Sequence, residues 1–296
     1  MPEKVMIMDK EDLTRHIFDK GTYLCVGLDT DITRLPPHLL EASEDPVFAF
    51  NKAIIDATKD LCVAYKINTA FYESRGLAGW ESLERTVAYI PGTHFKIADA
   101  KRGDIGNTSD QYAKAFFKTW SFDAVTVAPY MGRDSVEPFL QYPGKWTILL
   151  GLTSNEGSRD FQLQNTGPDE LLYEKVLREA KTWGHQDNQD NLMFVVGATR
   201  DDNMANIRRL VPEHFLLVPG VGFQGGNLRD ISRLGLNDAG GLLVNASRSV
   251  IYADDGADFA LASRKVAEQY RLEMTACLNE RKEKQPVAKE RKIVHP

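Results

Sequence analysis

Two carboxylates and a lysine, Asp99, Lys101 and Asp104, crowd into one short stretch of this chain. The residues before them, 93–98, indicate a short buried strand. Because side chains two apart on a strand share a face, Asp99 and Lys101 are predicted to point the same way. Asp104 follows a glycine and approaches from another direction. A lysine among carboxylates can stabilise developing negative charge and deliver a proton; the alternative interpretation is a solvated surface loop.

A second lysine, Lys66, lies inside the apolar run 61–67. A buried ammonium is costly unless a carboxylate neutralises it, and Asp99 on the neighbouring predicted strand is the expected partner. With Lys101 and Asp104 this pair forms a network of alternating sign, which should keep all four groups ionised.

The composition is that of a globular protein with a sizeable core, since 43% of the 296 residues are hydrophobic. A formal net charge of -6 argues against nucleic acid as a partner. Three widely spaced cysteines suggest neither a disulfide framework nor a zinc site. With no targeting signal and no run of about eighteen apolar residues, we expect no membrane span and a cytoplasmic location.

Eight short apolar runs alternate with helical stretches along the chain. The predicted strands cover residues 23–28, 61–67, 93–97, 124–128, 146–150, 192–196, 215–218 and 242–245. Such runs are typical of strands buried on both faces, and their alternation with helices favours parallel pairing. The sequence therefore predicts an α/β fold, one TIM (β/α)8 barrel over residues 1–278. Residues 279–296 form a polar, basic tail that we expect to be disordered.

Two strand ends indicate an anion site. The loop 219–226 starts at Pro219, is rich in glycine and contains Gln224. Its backbone N–H groups can approach an anion, although a tight turn is the alternative interpretation. Arg248 follows the eighth predicted strand. In this fold a phosphate frequently binds between the loops after strands seven and eight, where a guanidinium can grip two of its oxygens.

Taken in order, these residues resemble a known family. The matching features are Gly-Leu-Asp29, Lys66, the Asp-x-Lys-x-x-Asp run 99–104 with Ile105, Pro-Gly-Val-Gly from Pro219 with Gln224, and Arg248. Together they resemble the orotidine 5′-phosphate decarboxylases over most of the chain. The segments 66–73 and 245–249 resemble the longer-chain bacterial branch of that family.

The resemblance implies loss of CO₂ from C6 of orotidine 5′-phosphate to give uridine 5′-phosphate, the last step of de novo pyrimidine biosynthesis, without metal or organic cofactor. The breaking bond lies in the plane of the pyrimidine ring, so its electron pair cannot delocalise into the ring. The protein must therefore stabilise the developing negative charge with preorganised charged groups and deliver a proton to C6. Lys101 is the implied proton donor, and Asp99 is the implied carboxylate beside the leaving group.

The resemblance also implies which residues bind the substrate. They are Asp29, Asn68, Ile105, Thr108, Ser154, Pro219, Gln224 and Arg248. Asp29 and Lys66 resemble ribose-contacting residues, and Ser154 resembles a serine that binds the pyrimidine amide. The adjacent Thr153 and Asn155 remain alternatives for that last role.

The same resemblance implies a homodimer. Asp104, Ile105 and Thr108 would reach the active site of the other subunit, so that Asp104 is shared between subunits.

Two other functions are weighed against this one. A magnesium-dependent keto-sugar phosphate decarboxylase resembles the 99–104 run, but such relatives carry a carboxylate metal ligand where Lys66 stands, and a lysine there would repel the ion. A non-catalytic barrel that binds a phosphate ligand is the other alternative, in which Asp99 and Lys101 form only a structural ion pair.

Overall fold

Eight parallel strands close into a barrel in the computed structural model, as the sequence predicts. The barrel strands are β1 (Leu24–Gly27), β2 (Ala64–Asn68), β3 (Phe95–Arg102), β4 (Ala124–Val127), β5 (Trp146–Leu152), β6 (Leu192–Val196), β7 (Phe215–Pro219) and β8 (Leu242–Ala246). Each strand pairs with its neighbours in sequence, and β8 closes the barrel against β1 with Asn245 opposite Cys25. The structure describes residues 8–183, 191–197, 201–221 and 227–284.

Helices follow the strands and surround the barrel. They are α1 (Lys10–Lys20), α2 (Pro37–Ala42), α3 (Pro46–Thr58), α4 (Ala70–Glu73), α5 (Leu77–Tyr89), α6 (Gly106–Lys114), α7 (Arg133–Leu140), α8 (Ser158–Phe161), α9 (Leu172–Ala180), α10 (Asp201–Leu210), α11 (Leu228–Gly235), α12 (Arg248–Ile251) and α13 (Phe259–Lys284). Local signals set their starts: the Asp45 carboxylate accepts the Phe48 N–H at 3.0 Å, and Pro46 occupies the first turn of α3. None of the helices in the described part of the chain combines the length and apolar character that a membrane crossing needs.

Two features differ from the sequence-based expectation. A two-stranded antiparallel ribbon, Asn165–Gly167 with Glu170–Leu171, follows β5. Its strands are only three and two residues long and are exposed or half-buried, so no apolar periodicity marks them. In addition, α13 continues through Asn279, where the tail was expected to begin, to Lys284. Leu278 is buried, so the packed face of the helix reaches this boundary. Residues 285–296 lie outside the described residues.

A buried histidine lies where β3 begins. His94 is only 3% exposed, and its Nε2 lies 2.7 Å from the carbonyl oxygen of Lys59 and 3.1 Å from Lys20 Nζ. Burial, and then the Lys20 charge, lower the pKa of His94 to about 4 from an ordinary 6.5. The folded protein therefore holds this imidazole neutral in a range where the unfolded chain protonates it.

We expect the free energy of unfolding to fall as pH drops from 6.5 toward 4. Within that window the unfolded chain gains a proton at His94 and the folded chain does not, which removes about 3 kcal/mol at the lower end. His94→Gln should flatten the decline, measured as urea midpoints between pH 4.5 and 7.5. His38 is exposed, and His38→Gln should leave the decline unchanged. An unaltered slope in His94→Gln would contradict this explanation.

Candidate active site

Four charged side chains meet where the first three strands end. Lys66 Nζ lies 3.1 Å from Asp29 Oδ1 and 2.9 Å from Asp99 Oδ2. Lys101 Nζ lies 2.6 Å from the other oxygen of Asp99, Oδ1. The predicted partnership of Lys66 with Asp99 is confirmed. We call Asp29, Lys66, Asp99 and Lys101 the charge row.

Lys66 and Asp99 are the most buried members of the charge row, and each stays ionised because of the opposite charges beside it. The Lys66 side chain is 4% exposed and that of Asp99 is 12% exposed. Burial alone lowers the pKa of Lys66, but the carboxylates of Asp29 and Asp99 outweigh it and raise that pKa above its ordinary value. Burial alone raises the pKa of Asp99, yet Lys66 and Lys101 hold it well below its ordinary range. Both groups are therefore ionised, while the Lys101 side chain, 48% exposed, faces open space.

A local irregularity of β3 brings Lys101 to Asp99. Between Ala98 and Arg102 the register of β3 against β4 shifts, and Lys101 adopts the left-handed conformation with φ 46°. The Lys101 N–H donates to Thr126 Oγ1 at 2.8 Å, and this hydroxyl donates to Asp99 Oδ1 at 3.1 Å. The prediction that Asp99 and Lys101 lie together is confirmed, but a β-bulge, rather than regular alternation along the strand, brings the two side chains together. Thr126 was not among the predicted site residues. It could have been recognised as a hydroxyl inside a buried strand, because a buried hydroxyl needs a hydrogen-bond partner.

A cavity of about 150 Å³ extends from the charge row to the ends of β7 and β8. Its walls include Asp29, Lys66, Asp99, Pro219, Gly220, Val221, Asn245, Ser247, Arg248 and Ser249. Pro219 and Arg248, two residues of the predicted phosphate site, therefore line the same cavity as Asp29, Lys66 and Asp99. The predicted Gln224 lies outside the described residues.

Asn245 and Ser247 are wall residues that the sequence analysis did not single out. Asn245 is 5% exposed, and its Oδ1 is buried without a hydrogen-bond partner among the described residues. Ser247 Oγ donates to the Gly27 carbonyl oxygen at 3.1 Å and so joins β8 to β1. A Cβ on Gly27 would lie 2.7 Å from that of Ser247, which explains the glycine at position 27, two residues before Asp29.

Thr153, Ser154 and Asn155 line a second polar cavity of about 350 Å³ beyond the end of β5. Thr153 Oγ1 donates to Asn155 Oδ1 at 2.6 Å, and Gln162 Nε2 donates to Thr153 Oγ1 at 2.8 Å. The three candidates for pyrimidine recognition thus share one ordered turn, with Gln162 as a support that the sequence analysis missed.

Other predicted residues stand apart from the charge row. Asp104 makes no ion pair with any described residue, and its Oδ1 accepts the N–H of Ile105 at 2.8 Å. Within one chain Asp29 joins Lys66, Asp99 and Lys101, while the participation of Asp104, which the resemblance assigns to the site of the other subunit, stays a prediction. Asn68 Oδ1 accepts the Ala70 N–H at 3.2 Å at the start of α4, and Thr108 is exposed in α6.

No group of three or more His, Cys, Asp or Glu side chains within the described ranges could hold a metal ion. The two carboxylates that converge beside the cavity, Asp29 and Asp99, do so on the ammonium of Lys66.

Comparisons with known proteins agree with this geometry. The family model described as "Orotidine 5'-phosphate decarboxylase / HUMPS family" matches residues 22–262. A Phocaeicola vulgatus protein named orotidine 5′-phosphate decarboxylase is 55% identical over 270 residues, covering 90% of this chain and 98% of its own. One of the same name from Flavobacterium johnsoniae is 55% identical, covering 92% and 99%.

A solved structure is similar as well. The Leishmania donovani OMP decarboxylase superposes with a TM-score of 0.78 at 35% identity, covering 91% of this chain and 98% of that one. The eight-stranded barrel, the charge row and these matches lead to one conclusion: the chain belongs to the orotidine 5′-phosphate decarboxylase / HUMPS family.

Proposed function

We propose that this chain decarboxylates orotidine 5′-phosphate to uridine 5′-phosphate, the last step of de novo pyrimidine biosynthesis, by a cofactor-free mechanism. The names of the relatives at 55% identity support the activity. The observation that carries the mechanism is the charge row, in which the half-exposed Lys101 pairs with Asp99, a wall residue of the cavity that Arg248 also lines. A cytoplasmic location belongs to the same proposal, since Cys25, Cys62 and Cys277 are buried free thiols, as a reducing compartment would leave them.

Lys101 is the proposed proton donor. When the C6–carboxylate bond breaks, CO₂ departs and the bonding pair stays on C6, where the Lys101 ammonium stabilises it. A proton then passes from Lys101 Nζ to C6, which completes uridine 5′-phosphate. The neutral amine regains a proton from solvent, to which this side chain is open. Asp99, held ionised by its two lysines, lies beside the substrate carboxylate in this proposal.

The remaining substrate contacts follow the shape of the cavity. Arg248 and Pro219 line the cavity and, with Gln224, are the proposed phosphate contacts. Asp29 and Lys66 line the same cavity and are the proposed ribose contacts. Asn68 and Ser154, with its neighbours Thr153 and Asn155, complete the proposed set. Binding of the remote phosphate can then be used to organise the reacting end.

The magnesium-dependent alternative is tested by substrate choice. Lys66 Nζ occupies the position between Asp29 and Asp99 that a divalent ion would need. The enzyme is offered orotidine 5′-phosphate and, separately, a keto-sugar phosphate acid with added Mg²⁺. We expect product only from the nucleotide. Product only from the sugar would overturn the assignment, and product from neither would favour a non-catalytic barrel.

A second copy of this chain is the proposed partner. Four large apolar side chains are exposed near the ends of β3, β4 and β5: Ile105 (56%), Tyr130 (87%), Met131 (47%) and Phe161 (63%). The ring centroids of Tyr130 and Phe161 are 6.5 Å apart. This patch adjoins Asp104, which is outside the charge row of its own chain. A homodimer that covers the patch would bring Asp104, Ile105 and Thr108 toward the neighbouring cavity.

Mixing two inactive variants should restore activity if Asp104 is shared. In a hybrid of Lys101→Ala and Asp104→Asn subunits, one site carries both changes and the other carries neither. Random reassembly should therefore regain about a quarter of the parental activity. The measurement is turnover after joint unfolding and refolding, with each variant refolded alone as the control. No gain in the mixture would place both residues in the same chain's site.

A further inference from the structure

We propose that Thr126 is a positioning residue for this reaction, because its hydroxyl fixes the Lys101 backbone and the Asp99 carboxylate relative to each other. The inference rests on the proposed role of Lys101 as proton donor. Thr126 lies in β4, fully buried, and has no place in the substrate-binding set.

Three hydrogen bonds close a ring around this hydroxyl. The Lys101 N–H donates to Thr126 Oγ1 at 2.8 Å, Thr126 Oγ1 donates to Asp99 Oδ1 at 3.1 Å, and Lys101 Nζ donates to the same carboxylate oxygen at 2.6 Å. A hydroxyl has a single proton to donate. Since the Lys101 N–H can only donate, the Thr126 proton is directed to Asp99, and the order of donors in the ring is fixed.

The ring lies where regular strand pairing fails. The β3–β4 register shifts between Ala98 and Arg102, so Lys101 is in the bulged segment. Its φ of 46° is one that L residues other than glycine rarely adopt, and such a conformation persists only where the surroundings hold it. Thr126 Oγ1 gives the Lys101 N–H an acceptor inside the bulge. The threonine therefore replaces part of the pairing that the bulge disrupts.

Both carboxylate oxygens of Asp99 accept hydrogen bonds. Oδ2 accepts from Lys66 Nζ at 2.9 Å, while Oδ1 accepts from both Lys101 Nζ and Thr126. Without the hydroxyl, the carboxylate can rotate about its remaining contacts and the Lys101 backbone can relax from its left-handed conformation. Either movement displaces Lys101 Nζ from the reacting carbon, and a misplacement of about 1 Å can cost about 100-fold in rate.

Two substitutions at Thr126 separate positioning from packing. Thr126→Val keeps the shape and removes the hydroxyl, whereas Thr126→Ser keeps the hydroxyl and removes a methyl group. Thr147 in β5 supplies a matched control, since it is also fully buried and its Oγ1 has no hydrogen-bond partner among the described residues. Thr147→Val thus makes the same chemical change on the adjacent strand without breaking a hydrogen bond.

The assay measures kcat and KM for orotidine 5′-phosphate and Kd for uridine 5′-phosphate. We expect Thr126→Val to lower kcat by about 10- to 100-fold with KM and Kd within about threefold of the parent. Thr126→Ser should recover kcat to within about threefold, and Thr147→Val should match the parent. If Thr126→Val does not fold, Thr126→Cys, which keeps only a weak donor, should show the same selective loss of kcat.

Three results would overturn the proposal: an unchanged kcat in Thr126→Val, equal losses in the valine and serine variants, or a loss confined to KM and Kd. These outcomes are separate from failure of the proposed function. A parent that leaves orotidine 5′-phosphate intact would refute the function, and an active Lys101→Ala would refute the proton donor. An active parent, an inactive Lys101→Ala and an unaffected Thr126→Val would refute the role of Thr126 alone.

Discussion

Lys101→Ala is expected to lower kcat for decarboxylation by at least about 10⁴-fold, because the change removes both the charge that stabilises the carbanion and the acid that protonates it. The Lys101 side chain is 48% exposed, so its loss leaves no buried cavity, and the fold should survive. Binding of uridine 5′-phosphate should change far less than kcat, since the proposed phosphate contact in the cavity wall, Arg248, is unchanged. Single-turnover kinetics with the substrate and calorimetry with the product measure the two effects separately.

Lys114 gives a control for this substitution. It is an exposed lysine in α6, outside the charge row, and Lys114→Ala should keep the parental kcat. A folded Lys101→Ala enzyme that decarboxylates at the parental rate would refute the proton-donor assignment and leave the ion pair with Asp99 as a structural feature.

Lys66→Met is expected to reduce the free energy of unfolding by about 3–5 kcal/mol and to abolish turnover, because it leaves two carboxylates converging without their shared cation. Methionine fills a similar volume, so the loss reports charge rather than a cavity. Those carboxylates are Asp29 and Asp99, whose side chains are 18% and 12% exposed. The measurement is urea unfolding at neutral pH.

The pH dependence of that loss has a definite sign. In the parent, Asp99 has a depressed pKa, so its ionisation adds stability above pH 3.8 that is lost as pH falls below that value. Lys66→Met removes much of this contribution, so the difference from the parent should shrink as pH approaches 4 and below. Lys52→Met breaks the exposed pair with Asp56 and should change stability little. A Lys66→Met enzyme as stable as the parent would contradict the coupling within the charge row.

Much of the barrel could be predicted because each strand carries its own signal. Most of the runs that became β1 to β8 are apolar, and the corresponding strands are buried on both faces; the charged and partly exposed β3 is the clearest exception. The meeting of Lys66 with Asp99 was equally predictable, since a lysine in a buried strand requires a carboxylate nearby. In both cases the residues of the segment itself were sufficient for the prediction.

What could not be predicted depends on pairing between segments distant in sequence. The left-handed Lys101 and its bond to Thr126 arise from a register shift between β3 and β4, which neither strand shows alone. The barrel likewise brings the end of β1, and with it Asp29, beside Lys66, a contact that neither segment shows alone.

The central claim is that the charge row decarboxylates orotidine 5′-phosphate with Lys66 in place of a metal ion. The most direct measurement is turnover of orotidine 5′-phosphate by enzyme held in excess chelator, followed as loss of substrate absorbance and appearance of uridine 5′-phosphate. We expect full activity in chelator and no increase when Mg²⁺ is restored. Activity that disappears in chelator and returns with Mg²⁺, or a complete lack of uridine 5′-phosphate, would contradict it.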